Sequence, residues 1–503
     1  MTPVVPASPS APVLDLRLVP PALTAWAVAA AGIVWAQAGS LAAMAVAVSV
    51  TGAVGWWGSR GEGRAADRRA VGTSVAAVLV LGGGMCVAVG LRVDEVRHHP
   101  VSGYFGEVTT VVVTPTETPR VLAGGRTMFR GSLLELAGAR SSGRVIVFAS
   151  GGEYARVMAR QPVAFRAQAS APKRSDLTVA VLAAKGAPAL GDAAPVHRVA
   201  HDVRQRFAQS SRAALPADQA AMLPALVLGD TSTVPARTTA DFRASGLTHL
   251  TAVSGANVTI VCGAVLLTAV LVGPRAAVVL AAVTLLGFVV VVQPSASVLR
   301  AAVMGAITLL AVLSHRRRQA LPALAASVIG LLVAVPELAV DVGFALSVSA
   351  TAALVLIAPA WSRRLTERGW PRPLADAVSV AVAAQLVTAP LVAGISGSVS
   401  LVAVAANLVV APVIPPITVI GTTAAALCPL WPAGAELLIR FTGPEVWWLL
   451  SVAHWAAGLP VASVPVPSGP AGVVTIGIAA LGAAAVWHRV CGPVSARHDT
   501  IVR

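Results

Sequence analysis

The sequence predicts a polytopic α-helical membrane protein of about eleven or twelve spans, with a small extracytoplasmic β-barrel of the OB type inserted after the third span. Three observations carry this prediction. Of 503 residues, 56% are hydrophobic and 12% charged, and a mean hydropathy of +0.78 excludes an ordinary soluble domain. Long apolar stretches alternate with arginine-rich loops in a spacing that fits one topology. Between residues 92 and 190 the pattern changes to short β-branched runs punctuated by glycine pairs.

Residues 1–22 are rich in proline and alanine and are expected to be disordered. Leu23 to Gln37 and Leu41 to Trp57 read as an apolar hairpin with its break at Gly39–Ser40. Only Arg17 precedes it and a second apolar run follows at once, so two anchors are expected rather than a cleaved leader. Arg60, Arg64, Arg68 and Arg69 place the next loop in the cytoplasm. Val71 to Leu91 is the third span, completes a unit over residues 23–91, and delivers the following region to the outside.

That region, residues 92–190, contains five β-rich runs: Val108–Thr114, Met128–Leu136, Val145–Ala149, Val163–Ala169 and Leu177–Ala184. Five short strands suit a small OB-like barrel, an architecture that often binds single-stranded nucleic acid or sugar. Basic side chains run through it, and Arg126, Arg130, Arg144, Arg166, Lys173 and Arg174 are the candidates for DNA contact. Tyr104, Phe105, Phe129, Phe148, Tyr154 and Phe165 supply only a thin set of rings for stacking. A solvated basic surface and nucleic-acid contact both stay open here.

Residues 191–245 turn helical. Val196, Val199, Ala200, Val203, Phe207 and Ala214 mark one face, with Arg198, Asp202, Arg206 and Arg212 on others, as in an amphipathic linker helix. Residues 246–488 form the main transmembrane domain, with Gly246 to Val272 as its first span. His315–Arg318 and the group Arg363, Arg364, Arg368 and Arg372 both fall on the cytoplasmic side by the same count. Leu401 to Leu427, interrupted by Asn407, Pro412, Pro415 and Pro416, reads as a broken helix. Glu436 to Leu459, with Trp447, Trp448 and Trp455, is placed at the interface as an aromatic belt. Residues 489–503 form a basic cytoplasmic tail.

The formal net charge is +15, carried almost wholly by arginine, since Lys173 and Lys185 are the only lysines. Arginines at a cytoplasmic membrane surface and a polyanionic substrate both account for it. The cysteines Cys86, Cys262, Cys428 and Cys491 lie far apart and carry no metal-binding spacing, and no HExxH occurs. No metal and no cofactor are expected.

Polar residues within the apolar domain are few, and such residues usually face a water-filled path or a protein interior. Asp230, His249, Ser254, Gly255, Asn257, Arg300, Asp341, Gln385 and Asn407 are the candidates for a conduit. Arg300 and Asp341 could neutralise each other as a buried pair, or Asp341 could cap its helix. Ser254 and His249 have the residue types of a nucleophile and base, but not helical spacing or a G-x-S-x-G elbow. A helix break at Ser254–Gly255 that exposes backbone groups fits better.

The ordered motifs resemble one family. GLTHLTAVSGANV at Gly246–Val258 resembles the signature of the ComEC family, the inner-membrane DNA channel of natural transformation. A GDTS turn at Gly229–Ser232 and DFRASGL at Asp241–Leu247 precede it. PSASVLRAAVMG at Pro294–Gly305, DVGFALS at Asp341–Ser347 and AQLVTAPLVA at Ala384–Ala393 follow. VSLVAVAANLVVAPVIP at Val399–Pro415 and LPVASVPVP at Leu459–Pro467 complete the series. Relatives commonly carry a His where Asn257 stands, so no role of that His is carried over. Many relatives continue into a metallo-β-lactamase-like domain; no counterpart is found in these residues, so any nuclease is expected on another polypeptide or missing.

The resemblance implies transport of single-stranded DNA across the cytoplasmic membrane, with no covalent step in this chain and hence no enzyme. It implies as partners a DNA receptor and a cytoplasmic motor or single-strand-binding proteins, besides the membrane and a possible second copy of the chain. Two other readings stand beside it: a secondary transporter or channel for a smaller solute, and an intramembrane hydrolase at Ser254.

Overall fold

The computed structural model of the chain describes residues 15–58, 65–122, 124–268, 271, 273–293, 295–313 and 319–490. The expectations for Arg60, Arg64, Pro294, His315–Arg318, Cys491 and the basic tail after residue 490 lie outside the described residues. Helix α1 (Val19–Gly58) leaves helical dihedrals at Trp35 and Ala36, where Ala36 has φ 57° and ψ −154°. The chain doubles back there, and Gly39 lies against the Ala31 carbonyl with no room for a side chain. The hairpin was expected to break at Gly39–Ser40; instead Gly39 lets the two arms approach and the turn falls earlier. Both arms pack on α2 (Ala65–Arg97), where Thr24 and Met44 meet over Gly82.

The next region is a barrel. Its main strands are β1 (Val108–Pro115), β3 (Arg126–Leu136), β5 (Arg144–Ser150), β6 (Val163–Ser170) and β7 (Thr178–Leu190), so all five expected runs are strands. The short β2 (Arg120–Val121) and β4 (Ala139–Arg140) both pair with β3. The order β1-β6-β7-β5-β3 closes because β3 also pairs with β1. Every pairing is antiparallel except β5 with β7. Side chains alternate along each strand, and Val111, Val113, Phe129, Leu133, Val147, Phe165 and Leu182 fill the interior.

The helices follow. Amphipathic α3 (Pro195–Ala214) buries Arg204, Phe207, Ser210 and Ser211, while α4 (Ala217–Leu228) is buried along its whole last half, from Met222 to Leu228. Short α5 (Ala236–Ala244) leads to α6 (Gly255–Leu267). Then come α7 (Pro274–Val292), α8 (Ala296–Leu313), α9 (Ala320–Ala334), α10 (Val342–Leu356), α11 (Ala358–Glu367) and α12 (Arg372–Ser396). The last are α13 (Ala403–Val410), α14 (Ile414–Leu427), α15 (Pro432–Phe441), α16 (Gly443–Ala457) and α17 (Pro470–Val490). Among the described residues, seven helical stretches are long and apolar enough to cross a membrane, and four shorter apolar helices accompany them. The chain is a multi-pass helical membrane protein carrying a small barrel.

Three segments differ from, or refine, the sequence reading. Gly246 to Val272 is not one continuous span: a 3-10 turn at Thr248–Leu250 and extended residues precede α6, because Gly246 (φ 76°) and the Ser254 N-cap interrupt it. The break in Leu401–Leu427 is a 3-10 turn at Ala411–Val413, and the Trp448 indole donates to the Val409 carbonyl beside it at 3.2 Å. Glu436 to Leu459 is two helices, α15 and α16, which bury Ile439, Val446 and Leu449 and leave Trp447, Trp448 and Trp455 exposed. A two-stranded ribbon, β8 (Ser398–Ser400) with β9 (Ser463–Pro465), ties the end of α12 to the start of α17.

The barrel rests on one end of the bundle. In the loop after β1, the Thr118 N–H and hydroxyl donate to Gln293 Oε1 at 3.3 and 3.1 Å, just past the end of α7. Arg92 at the end of α2 and Arg144 on β5 both stand 3.8 Å from Glu337, in the turn between α9 and α10.

Candidate functional site

On the barrel side of the bundle, the C-terminal end of α4 meets the N-terminal end of α6. Gly229 ends α4 in the left-handed conformation, at φ 70°, and any side chain there would press on Val253. The last carbonyls of a helix have no partner within it. Here Asn257 Nδ2 donates to the Leu226 carbonyl at 3.0 Å, and the Ser254 hydroxyl donates to Asn257 Oδ1 at 3.3 Å. Arg204 Nη1, from α3, donates to the Leu228 carbonyl at 2.9 Å and to the Val291 carbonyl of α7 at 3.2 Å. Its Nη2 stands 3.5 Å from Asp230 Oδ2, and Asp230 also accepts from the Ser232 hydroxyl at 2.6 Å. Three helix ends are thus joined through polar groups, of which Arg204 and Asn257 are buried while Asp230 and Ser254 are partly exposed.

Arg300 of α8 approaches the same junction. Its Nε donates to Ser347 Oγ at 2.9 Å, and Ser347 is 3.0 Å from Ser297 Oγ. Its Nη2 lies over Gly255, where a Cβ would stand 2.9 Å away. Of the two alternatives for Asp341, the pair with Arg300 is not formed. Asp341 instead caps α10, accepting from the Phe344 N–H at 2.8 Å, because the first amides of that helix need an acceptor. Ser347, further along α10, is the residue that meets the guanidinium.

The remaining candidates lie elsewhere. Gln385 Nε2 reaches the Ser400 carbonyl at 3.5 Å, and Asn407 Nδ2 bonds the Ala403 carbonyl of its own helix at 2.8 Å. Gly246 packs on Ala403 and Ser400, so Gln385 and Asn407 belong to the surroundings of the β8–β9 ribbon. His249 is exposed, with Nδ1 at 3.3 Å from the Gly246 carbonyl. Among the described residues no hydrogen bond joins it to Ser254, which leaves a Ser–His nucleophile without its geometry.

On the barrel, Arg126, Arg130, Arg166, Lys173 and Arg174 are exposed. Arg126 and Arg130 share the outer side of β3, while Arg166 lies opposite Lys185 on the β6–β7 pair. Arg144 differs from them because it faces Glu337. Phe129, Tyr154 and Phe165 are interior, with the Tyr154 and Phe165 rings edge to face at 5.7 Å. They pack the barrel and cannot stack bases; Tyr104, Phe105 and Phe148 are the rings left with access. Burial, with Glu153 nearby, pushes the Tyr154 phenol up to about 12. Among the described residues, no group of three His, Cys, Asp or Glu side chains could hold a metal ion.

The family model described as Competence protein matches residues 226–490. The chain belongs to the competence protein family. No curated protein matches it, and no solved structure does. As a competence protein it has a role in DNA uptake in transformation. The matched region opens at Leu226, the residue whose carbonyl Asn257 holds, and runs to the end of α17.

Arg204 of the competence protein lies before the matched region and was not singled out by sequence. It sits in an amphipathic helix among Arg198, Arg206 and Arg212, and its periodicity alone does not separate it from them. Its placement one turn before Phe207, on the buried face, was the available signal.

Proposed function

We propose that the chain carries single-stranded DNA across the cytoplasmic membrane during transformation. The observation that carries this reading is the polar junction of Arg204, Asp230, Ser254, Asn257 and Arg300, with Arg204, Asn257 and Arg300 buried, within the bundle of a competence protein. Polar groups within an apolar bundle suit a path for a charged strand, and Arg300, which unlike Arg204 meets no carboxylate among the described residues, gives it the sign that a polyanion requires.

In this reading residues 92–190 are an extracytoplasmic OB-like domain that collects the strand. Support comes from its closed order β1-β3-β5-β7-β6, its parallel β5–β7 pair and its exposed arginines. Residues 23–91 anchor it, residues 191–245 link it to the bundle, and residues 246–488 form the channel, with about eleven or twelve crossings in all. Arg363 and Arg372 then face the cytoplasm. The step itself breaks no covalent bond, so the chain acts as a conduit rather than an enzyme. A DNA receptor, a separate nuclease and a cytoplasmic motor or single-strand-binding proteins complete the process, and the chain could work as a homo-oligomer. Deleting the gene in a competent host abolishes transformation in this reading, and the full chain restores it; transformation unaffected by deletion would refute it.

A further inference from the structure

Arg300 is a buried cation that meets no carboxylate among the described residues. It is 5% exposed, and its bonded nitrogens meet neutral groups: Nε the Ser347 hydroxyl at 2.9 Å, and Nη1 the Met304 sulfur at 3.1 Å. Among the described residues no acidic side chain forms an ion pair with it. Its Nη2 has no protein acceptor there either, and points at Gly255.

Gly255 is the first residue of α6, which runs for 13 residues. The amides of Gly255 and Ala256 lack an acceptor among the described residues, because the N-cap residue Ser254 makes no side-chain bond to the helix and gives its hydroxyl to Asn257. A helix N-terminus carries the equivalent of about half a positive charge. Setting a guanidinium against it in a low-dielectric interior is repulsive, and costly for an unpaired charge. One anion between the two would reverse the sign of that interaction and satisfy all three donors. A Cβ at residue 255 would stand 2.9 Å from Nη2, so any side chain there would fill the space between the guanidinium and the helix N-terminus.

We propose that Arg300 Nη2 and the amides of Gly255 and Ala256 form a site for a phosphodiester, holding one phosphate of the moving strand. The choice of phosphodiester rests on the reading of the bundle as a DNA conduit. A single guanidinium, uncompensated among the described residues, matches its single negative charge, and so few donors suit a group that must leave again.

The test is footprinting of Arg300 with phenylglyoxal in the full chain in detergent, read by mass spectrometry of its peptide. The probes are a thymidine oligonucleotide and its uncharged methylphosphonate counterpart. Protection of Arg300 of about tenfold by the phosphodiester strand and none by the methylphosphonate is expected, with protection lost in Gly255→Ala. An unchanged thermal unfolding midpoint of Gly255→Ala in detergent shows that the variant is folded. Equal protection by both strands, no protection, or an Arg300 that never reacts because protein encloses it would each overturn the site. In cells, Arg300→Gln should lower DNA internalisation about 10- to 100-fold, with Arg300→Lys retaining part of it. Wild-type internalisation by Arg300→Gln would refute the site while leaving the conduit standing. Arg300 protection in a protein whose deletion leaves uptake intact would refute the conduit and leave the anion site.

Discussion

Arg204 and Asp230 face each other at 3.5 Å where α3, α4 and α7 come together. The arginine also bonds two carbonyls that no helix can satisfy, those of Leu228 and Val291. Removing it leaves two carbonyls without a side-chain donor and Asp230 without its counter-charge, held among the described residues by Ser232 alone.

Arg204→Ala is therefore expected to destabilise the protein by about 3–5 kcal/mol, the usual cost of breaking a buried pair. Arg204→Lys should recover only part of this, because an ammonium has no planar fork to span two carbonyls and a carboxylate. Thermal unfolding of the purified chain in detergent measures both. An unchanged midpoint in Arg204→Ala would show that the contacts are incidental.

Asn257 acts as a donor to Leu226 and as an acceptor from Ser254. Asn257→Asp keeps the shape but places a carboxylate against a carbonyl. It should cost about 1–3 kcal/mol or more, and lower DNA uptake further than Ser254→Ala does. Transformation assays with matched expression test the order; a larger defect in Ser254→Ala would point back to a nucleophile.

Phe129 is fully buried in the barrel. Phe129→Ala should destabilise the barrel by about 3–5 kcal/mol without weakening oligonucleotide binding well below the unfolding transition. Circular dichroism and fluorescence anisotropy separate the two effects. Weaker binding by a folded variant would place the ring at a binding surface, against its interior position.

Tyr154 supplies a pH prediction. Its folded phenol ionises at about 12, raised from 10.0 chiefly by burial and also by Glu153. The unfolded state therefore loses its proton first. The stability that Tyr154 contributes is fully present below pH 10 and is lost as pH rises towards 12. With two tyrosines in the chain, the Tyr104→Phe variant isolates the Tyr154 absorbance. A midpoint at or below 10 would contradict the interior placement.

The strands were legible because alternation marks the main ones, from Val108 to Leu190, and glycine pairs at Gly124–Gly125 and Gly151–Gly152 mark turns between some of them. The polar junction was legible in part, since Ser254, Asn257 and Arg300 stand out against aliphatic neighbours. Three features were not. Asp341 carries both a charge and an N-cap position, and sequence cannot decide between pairing and capping; the amide of Phe344 decides it. Arg204 hides among equivalent arginines on an amphipathic helix, where only tertiary packing selects the buried one. The β8–β9 ribbon joins Ser398–Ser400 to Ser463–Pro465, and strands that short carry no periodic signal.

The central claim is that this chain is the passage for the strand, and one measurement meets it most directly. Labelled DNA is given to a competent host lacking the gene, and to the same host with the gene restored. Nuclease added outside then divides bound label from internalised label. A conduit predicts that the deletion keeps nuclease-sensitive label at its surface and loses the resistant, internal fraction, which the restored chain returns. Equal resistant label with and without the chain would contradict it.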